Sequence, residues 1–219
     1  MTSFPGSPRT LRGAIVAVDP LNPRPRAMVF QYNPDTVART LRPRSGGGQQ
    51  QQAAPADAHR IWGAPVETVS MTVDVDATDQ LETGDPVAAA SGIAPQLALL
   101  ELLLYPSSAL VIANTALLLT GTIEILPPES PLTILVWGPG RAVPVRLDGL
   151  TVTEKAFDTA LFPIRAEVEL SLQVLTYSDL PATDPGYALF LVHQVLKETM
   201  AAVAAVSGAA TAVADLAGG

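Results

Sequence analysis

The stretch Arg165-Ala166-Glu167-Val168-Glu169-Leu170-Ser171-Leu172-Gln173-Val174 alternates polar and apolar residues without a break. Successive side chains of a β-strand point to opposite faces. As a strand, it puts Ala166, Val168, Leu170, Leu172 and Val174 on one side and Arg165, Glu167, Glu169, Ser171 and Gln173 on the other. The same period returns upstream, where Val69, Met71, Val73 and Val75 alternate with Ser70, Thr72, Asp74 and Asp76, and more briefly at Val143, Val145 and Leu147. Leu132 to Trp137 is an apolar run, the pattern of a strand covered on both faces. These segments predict a mainly β domain with sheet faces turned to one core.

Towards the N-terminus, Ala14 to Val18 reads as a short strand running into Asp19-Pro20. Leu21-Asn22-Pro23-Arg24-Pro25 reads as a turn, because proline fixes φ and removes a donor. Met28 to Tyr32 follows as a second strand closed by Asn33-Pro34, so the pair predicts a hairpin. Residues 1–10 read as a flexible arm. Pro43 to His59 carries Gly46-Gly47-Gly48 and Gln49 to Gln52, too little apolar surface to offset the entropy of ordering it. It is expected to be a long loop inside the domain, since strand patterns resume after it.

Between the strands, Pro95 to Leu104 predicts the one flanking helix, with Pro95 in its first turn and Pro106 ending it. Leu97 to Leu119 is very apolar, but Glu101, Pro106 and Asn114 interrupt it. A membrane span needs about 20 uninterrupted apolar residues, so this stretch is expected to be buried in protein. After a break at Pro181 to Gly186, one helical pattern runs over residues 187–216. Leu189, Val192, Leu196, Val203, Val206 and Val213 recur on it at spacings of three and four or their sums. The organisation is therefore an arm (1–10), a β-domain (11–180, with the Gly/Gln-rich loop 43–59 inserted) and a C-terminal helical extension (187–216).

The chain of 219 residues is 48% hydrophobic but only 16% charged, and its net charge is −8. A soluble domain averages about 25% charge, so a surface this poor in charge is expected to be covered by partners. The acidic balance argues against nucleic acid, whose phosphates need a basic surface. Arginines gather early, among them Arg9, Arg12, Arg39, Arg42 and Arg44, and are expected to be solvated or paired with acidic neighbours. With no cysteine there is neither disulfide nor thiolate chemistry, which fits a reducing cytoplasm.

Catalytic constellations are not visible. The two histidines, His59 and His193, read as a solvated loop residue and a helix-face residue, and no G-x-S-x-G elbow stands near either. The acidic run Asp74, Asp76, Asp79, Glu82 and Asp85 lacks the spacing and glycine of an EF-hand loop. It is expected to be the solvated face of a strand entering a turn. No enzyme activity, cofactor or metal is expected.

Four segments, in order, resemble the tube-like proteins of phage-tail-like contractile injection systems, most closely the baseplate tube-adaptor subfamily whose members often carry a LysM module. They are Phe30-Gln31-Tyr32-Asn33-Pro34; Val69 to Asp79, ending Val75-Asp76-Ala77-Thr78-Asp79; Pro131 to Gly138, which includes Trp137; and Leu150 to Leu175. Within the last, Thr153-Glu154-Lys155-Ala156-Phe157-Asp158 and Pro163-Ile164-Arg165-Ala166 are similar to the family's final hairpin. The Gly/Gln loop stands as an insertion, and the helical tail stands where relatives carry LysM.

The resemblance implies an antiparallel β-barrel or sandwich of tail-tube type with a flanking helix, assembled as a sixfold ring. It also implies the partners, namely further copies of itself, an inner-tube protein, a spike or hub protein, and baseplate or sheath proteins. The work of such a ring is to join the tube to the baseplate, in a cytoplasmic assembly or in a particle released from the cell. An inner-tube subunit of the same machine and a free-standing β-sandwich binding module are the alternatives. The tail from Leu189 to Val213 is expected to dock on another subunit, with folding back on its own β-domain as the alternative. A membrane role is not expected of it, since Met200 to Ala214 is short for a span and lacks a basic flank.

Overall fold

Seven strands form one antiparallel sheet in a computed structural model that describes residues 11–19, 22–44, 61–119 and 131–218, without the side chains of 19, 22–25 and 206–218. The strands are β1 (Ala14–Asp19), β2 (Asn22–Val29), β3 (Val37–Arg42), β4 (Val66–Asp76), β5 (Leu132–Val136), β6 (Ala142–Phe157) and β7 (Pro163–Val174), in the order β2-β1-β5-β6-β7-β4-β3. Five helices accompany them: α1 (Thr78–Glu82), α2 (Pro86–Ser91), α3 (Ala94–Glu101), α4 (Ser108–Leu119) and α5 (Pro185–Gly218). The chain is thus mainly antiparallel β with several helices. The arm, the body of the Gly/Gln loop and His59 lie outside the described residues.

The alternating segments became the centre of the sheet. β7 pairs with β4 from Glu67↔Val174 to Asp76↔Arg165, and with β6 on its other side. Val168 therefore stands between Val73 and Val152, and Leu172 between Val69 and Leu147. Val73, Val168 and Leu172 are fully buried. Burying a side chain of this size is worth about 1.5–3 kcal/mol, which is why the register cannot slip by one residue without turning the core outward. On the outer face, Asp74 stands opposite Glu167, an unfavourable like-charge pair, and Lys155 of β6 closes on Glu167 to offset it.

The sheet curls, bringing residues far apart in strand order onto one inner face. Gln31, just beyond the edge strand β2, accepts a hydrogen bond from the Asp76 N–H at the end of β4 (3.2 Å). Val37 of β3 and Leu135 of β5, far apart in strand order, line one cavity. The core fills this curl, and helices close its two ends.

At the Pro163 end of β7, Ala88, Ile93, Leu97, Leu100 and Leu103 are buried. There the Ile93 N–H donates to the Pro163 carbonyl (2.8 Å) and the Ala77 N–H to that of Ile164 (2.9 Å). Gly92 makes the approach possible, for its φ is +56° and a Cβ would lie 2.1 Å from the Pro163 carbonyl oxygen. At the Val174 end, the first half of α5 lies on the sheet with Phe190 and His193 buried.

Five expectations need correction. Asn22 to Pro25 belong to strand β2, not to a turn, and Asp19 pairs directly with Asn22. β2 is an end strand, where proline's missing N–H can face away from the ladder. The second strand of this hairpin stops at Val29, so Phe30 to Tyr32 are outside it. The short pattern at Val143–Leu147 is the start of a 16-residue strand, β6. Register shifts at Leu147/Gly149 and near Ala156 break the period of two there, so the alternation ends before the strand does. Finally, Leu97 to Leu119 is buried only as far as Leu103. α4 has no buried residue, and Val111, Ile112, Leu118 and Leu119 are exposed, because the sheet's inner face is already covered by α2 and α3. The single helix expected at Pro95–Leu104 is one of several.

Candidate functional site

The motif residues fall into two groups with different surroundings. Phe30 is fully buried and meets Trp137 at a ring-centroid distance of 6.3 Å and an interplanar angle of 54°. Gly13 packs against both rings, and a Cβ there would come within 2.8 Å of either. Asn33 fastens the same joint: its Oδ1 accepts from the Gly13 N–H (2.9 Å) and its Nδ2 donates to the Leu11 carbonyl (2.8 Å). Pro34 follows in the irregular segment that leads to β3. Trp137 and Gly138 open the β5–β6 turn, where the Trp137 N–H donates to the Arg141 carbonyl (2.8 Å). Pro163 is buried under Ile93, and Arg165 approaches Asp76 at 3.9 Å. These residues are framework.

The second group is exposed. Tyr32 shows about half its surface. The β6–β7 hairpin ends in Phe157, Leu161 and Phe162, all exposed, with Leu161 at φ +66°. Asp158 holds this tip in shape, its Oδ1 accepting from the N–H groups of Ala160 (2.7 Å) and Phe162 (2.8 Å). A non-glycine residue in the left-handed region costs free energy, and the Asp158 bonds oppose that cost.

The helical stripe also divides. Leu189 and Leu196 are half-buried, Val192 and Val203 are exposed, and the side chains of Val206 and Val213 are outside the described set. The residues that dock α5 on the sheet are instead Gly186, Phe190, His193 and Lys197, one helical face at spacings of four, three and four. Phe190 meets Tyr177 edge-on at 5.8 Å. Gly186 is packed among Leu132, Leu180 and Asp184. Lys197 Nζ reaches Glu67 Oε2 at 3.3 Å. Beyond Lys197 the described helix carries exposed Met200 and Val203. Residues 185–205 are long and apolar enough to cross a membrane by length and composition, though their docked face lies on protein.

Glu67 is the centre of this contact. It occupies an inward position of β4, in phase with Val69 and Met71, and is only 5% exposed. Arg39 of β3 approaches its Oε1 from Nε (2.7 Å) and from the guanidinium tip (2.5 Å). A buried carboxylate is tolerated only when paired and hydrogen-bonded, and Glu67 has a cation on each oxygen. His193, expected to be a plain helix-face residue, is buried beside it. Burial holds its pKa below the ordinary 6.5, the positive charge of Lys197 adds to that, and a backbone hydrogen bond at Gly140 works the other way. Its Nδ1 has no hydrogen-bond partner. The sequence signal for this cluster was a carboxylate on the apolar face of a strand, at Glu67.

A second cluster joins the described residues on either side of the Gly/Gln-rich segment. Arg44, just before it, donates to the Ala64 carbonyl after it (2.7 Å) and to both oxygens of Asp179 (2.6 Å each). Asp179 also accepts from the Thr176 N–H (2.9 Å) and hydroxyl (2.7 Å). Burial alone would raise the Asp179 pKa, but the Thr176 hydroxyl and the Arg44 guanidinium outweigh it and hold it low.

Among the described residues no group of three His, Cys, Asp or Glu side chains could hold a metal ion. Of the acidic run, Asp74, Glu82 and Asp85 are exposed, and Asp76 and Asp85 make local bonds to the backbone. Asp76 accepts from the Thr78 N–H (2.7 Å) in the turn that leads into α1, whereas Asp85 is the N-cap of α2, accepting from the N–H groups of Val87 (2.8 Å) and Ala88 (3.2 Å). The sequence matches no protein-family model and no curated protein.

Proposed function

We propose that this chain is a structural protein of a phage-tail-like contractile injection system, a ring-forming adaptor of tail-tube type that joins the inner tube to the baseplate or spike. The four resembling segments motivate the reading. The observation that carries it is the curled antiparallel sheet, with β2 and β3 at the two ends of its strand order. A curled sheet with open ends can be continued by neighbouring copies, and a closed ring leaves no free edge.

The two ends are not equivalent. β2 contains Pro23 and Pro25, which cannot donate to a ladder, whereas β3 (Val37–Arg42) has no proline and keeps its donors on the edge away from β4. The subunit joint is therefore assigned to β3. Exposed α4, the β6–β7 tip and the outer part of α5 supply apolar surface for tube, spike and baseplate proteins. Electron microscopy of native particles tests the reading. One ring of six copies at the tube's end is expected. A symmetry unrelated to six would overturn the ring, and copies stacked along the whole tube would make the chain an inner-tube subunit.

A further inference from the structure

We propose that Glu67, Arg39, Lys197 and His193 form an acid-sensitive latch, which holds the first half of α5 on the sheet near neutral pH and lets it lift when the solution is acidified. The inference stands on the geometry of the cluster and does not depend on the proposed function. The latch joins three elements: Arg39 on edge strand β3, Glu67 on β4, and His193 with Lys197 on α5. The His193 imidazole enters a cavity of about 20 Å³, room for a single water molecule, whose walls include Val69, Leu135, Trp137 and Val143.

The charged groups around that imidazole decide what protonation does. Lys197 faces it from its own helix, Arg39 from β3 and Arg141 from the β5–β6 turn, while Glu67 on β4 is the one anion lining the cavity. Glu67 already serves two cations. A proton on Nδ1 would add a fourth positive charge against one anion, and a buried N–H with no acceptor, which is costly. The docked helix thus prefers neutral His193, and the undocked helix lets it protonate at its ordinary value.

The sign follows from linkage. The undocked state binds more protons below about 6.5, so docking is at full strength above that value and weakens as pH falls through it. Lifting α5 would uncover Phe190 and the Trp137 end of the core while leaving the α3 end shut.

Hydrogen exchange resolved along the chain tests this, with each amide corrected for its intrinsic rate. In the full-length protein, protection of residues 186–197 should fall several-fold between about pH 8 and about pH 5. Protection in β7 should hold over that range. His193→Gln, neutral at every pH, should abolish the pH dependence in α5. Equal loss in the variant, or no loss in the parent, would overturn the latch. Should His193→Gln not fold, the His193 resonance followed by NMR in a His59→Gln background decides: it must titrate together with the loss of α5 protection. An imidazole that protonates while α5 stays docked overturns the proposal.

Discussion

The two ends of the curled sheet are closed by helices of opposite character. The α3 end is sealed by Ile93, Leu97 and Leu100 and by backbone bonds to β7, with Gly92 pressed onto Pro163. No charge takes part in those contacts. The α5 end combines one aromatic contact, Phe190 on Tyr177, with a buried carboxylate shared between two cations and a buried histidine. Apolar packing carries no titrating group, whereas a charged contact is strong only while each partner keeps its protonation state. One end is therefore built as permanent core and the other as a joint that can open.

The largest expected effect comes from breaking the permanent end. Leu100 is fully buried, so Leu100→Ala should cost about 2–5 kcal/mol and lower the cooperative unfolding midpoint of the whole β-domain in a urea titration. Breaking the conditional end should do less, and do it locally. Glu67→Ala leaves Arg39 and Lys197 facing one another without their anion. Both are partly exposed, which limits the loss to about 1–3 kcal/mol. It should appear as lost exchange protection in α5 while β4 and β7 remain protected. If Glu67→Ala unfolded the domain as thoroughly as Leu100→Ala, the distinction between the ends would be gone.

The smallest effect sharpens the contrast from outside both ends. Deleting Gly46 to Gln52 shortens the stretch between Arg44 and Ala64, whose described flanks are already clamped by Arg44 on Ala64 and Asp179. Loop-closure entropy changes slowly with length, so the melting midpoint should move by the equivalent of less than about 1 kcal/mol. A large loss in differential scanning calorimetry would mean that the loop belongs to the core.

What could be read in the sequence follows from how regular each element is. β4 and β7 pair over ten positions without a shift, so their alternation survives intact. β6 is interrupted by bulges, and the prolines of β2 imitate a turn, so neither shows its full length. α4 looked like core because composition reports apolarity but not what remains to be covered. On α5 the apolar stripe was visible, yet the docked face runs through Gly186, His193 and Lys197, residues that an apolar tally passes over. Glu67 could have been noticed, as the one charge in phase with Val69, Met71, Val73 and Val75. Its partners are 28 and 130 residues away along the chain, and only the folded sheet brings them together.

The role assigned to the tail reduces to the two halves of α5, one docked through Lys197 and one running on with Met200 and Val203 exposed. Ending the chain after Glu198 keeps the latch and removes the outer half. Thermal unfolding of the purified variant and its incorporation into native particles should be measured side by side. A helix whose outer half serves assembly predicts an unchanged midpoint together with particles that lack the variant and the baseplate it would attach. Normal incorporation of the shortened chain, or a domain that melts once the outer half is gone, would contradict that assignment.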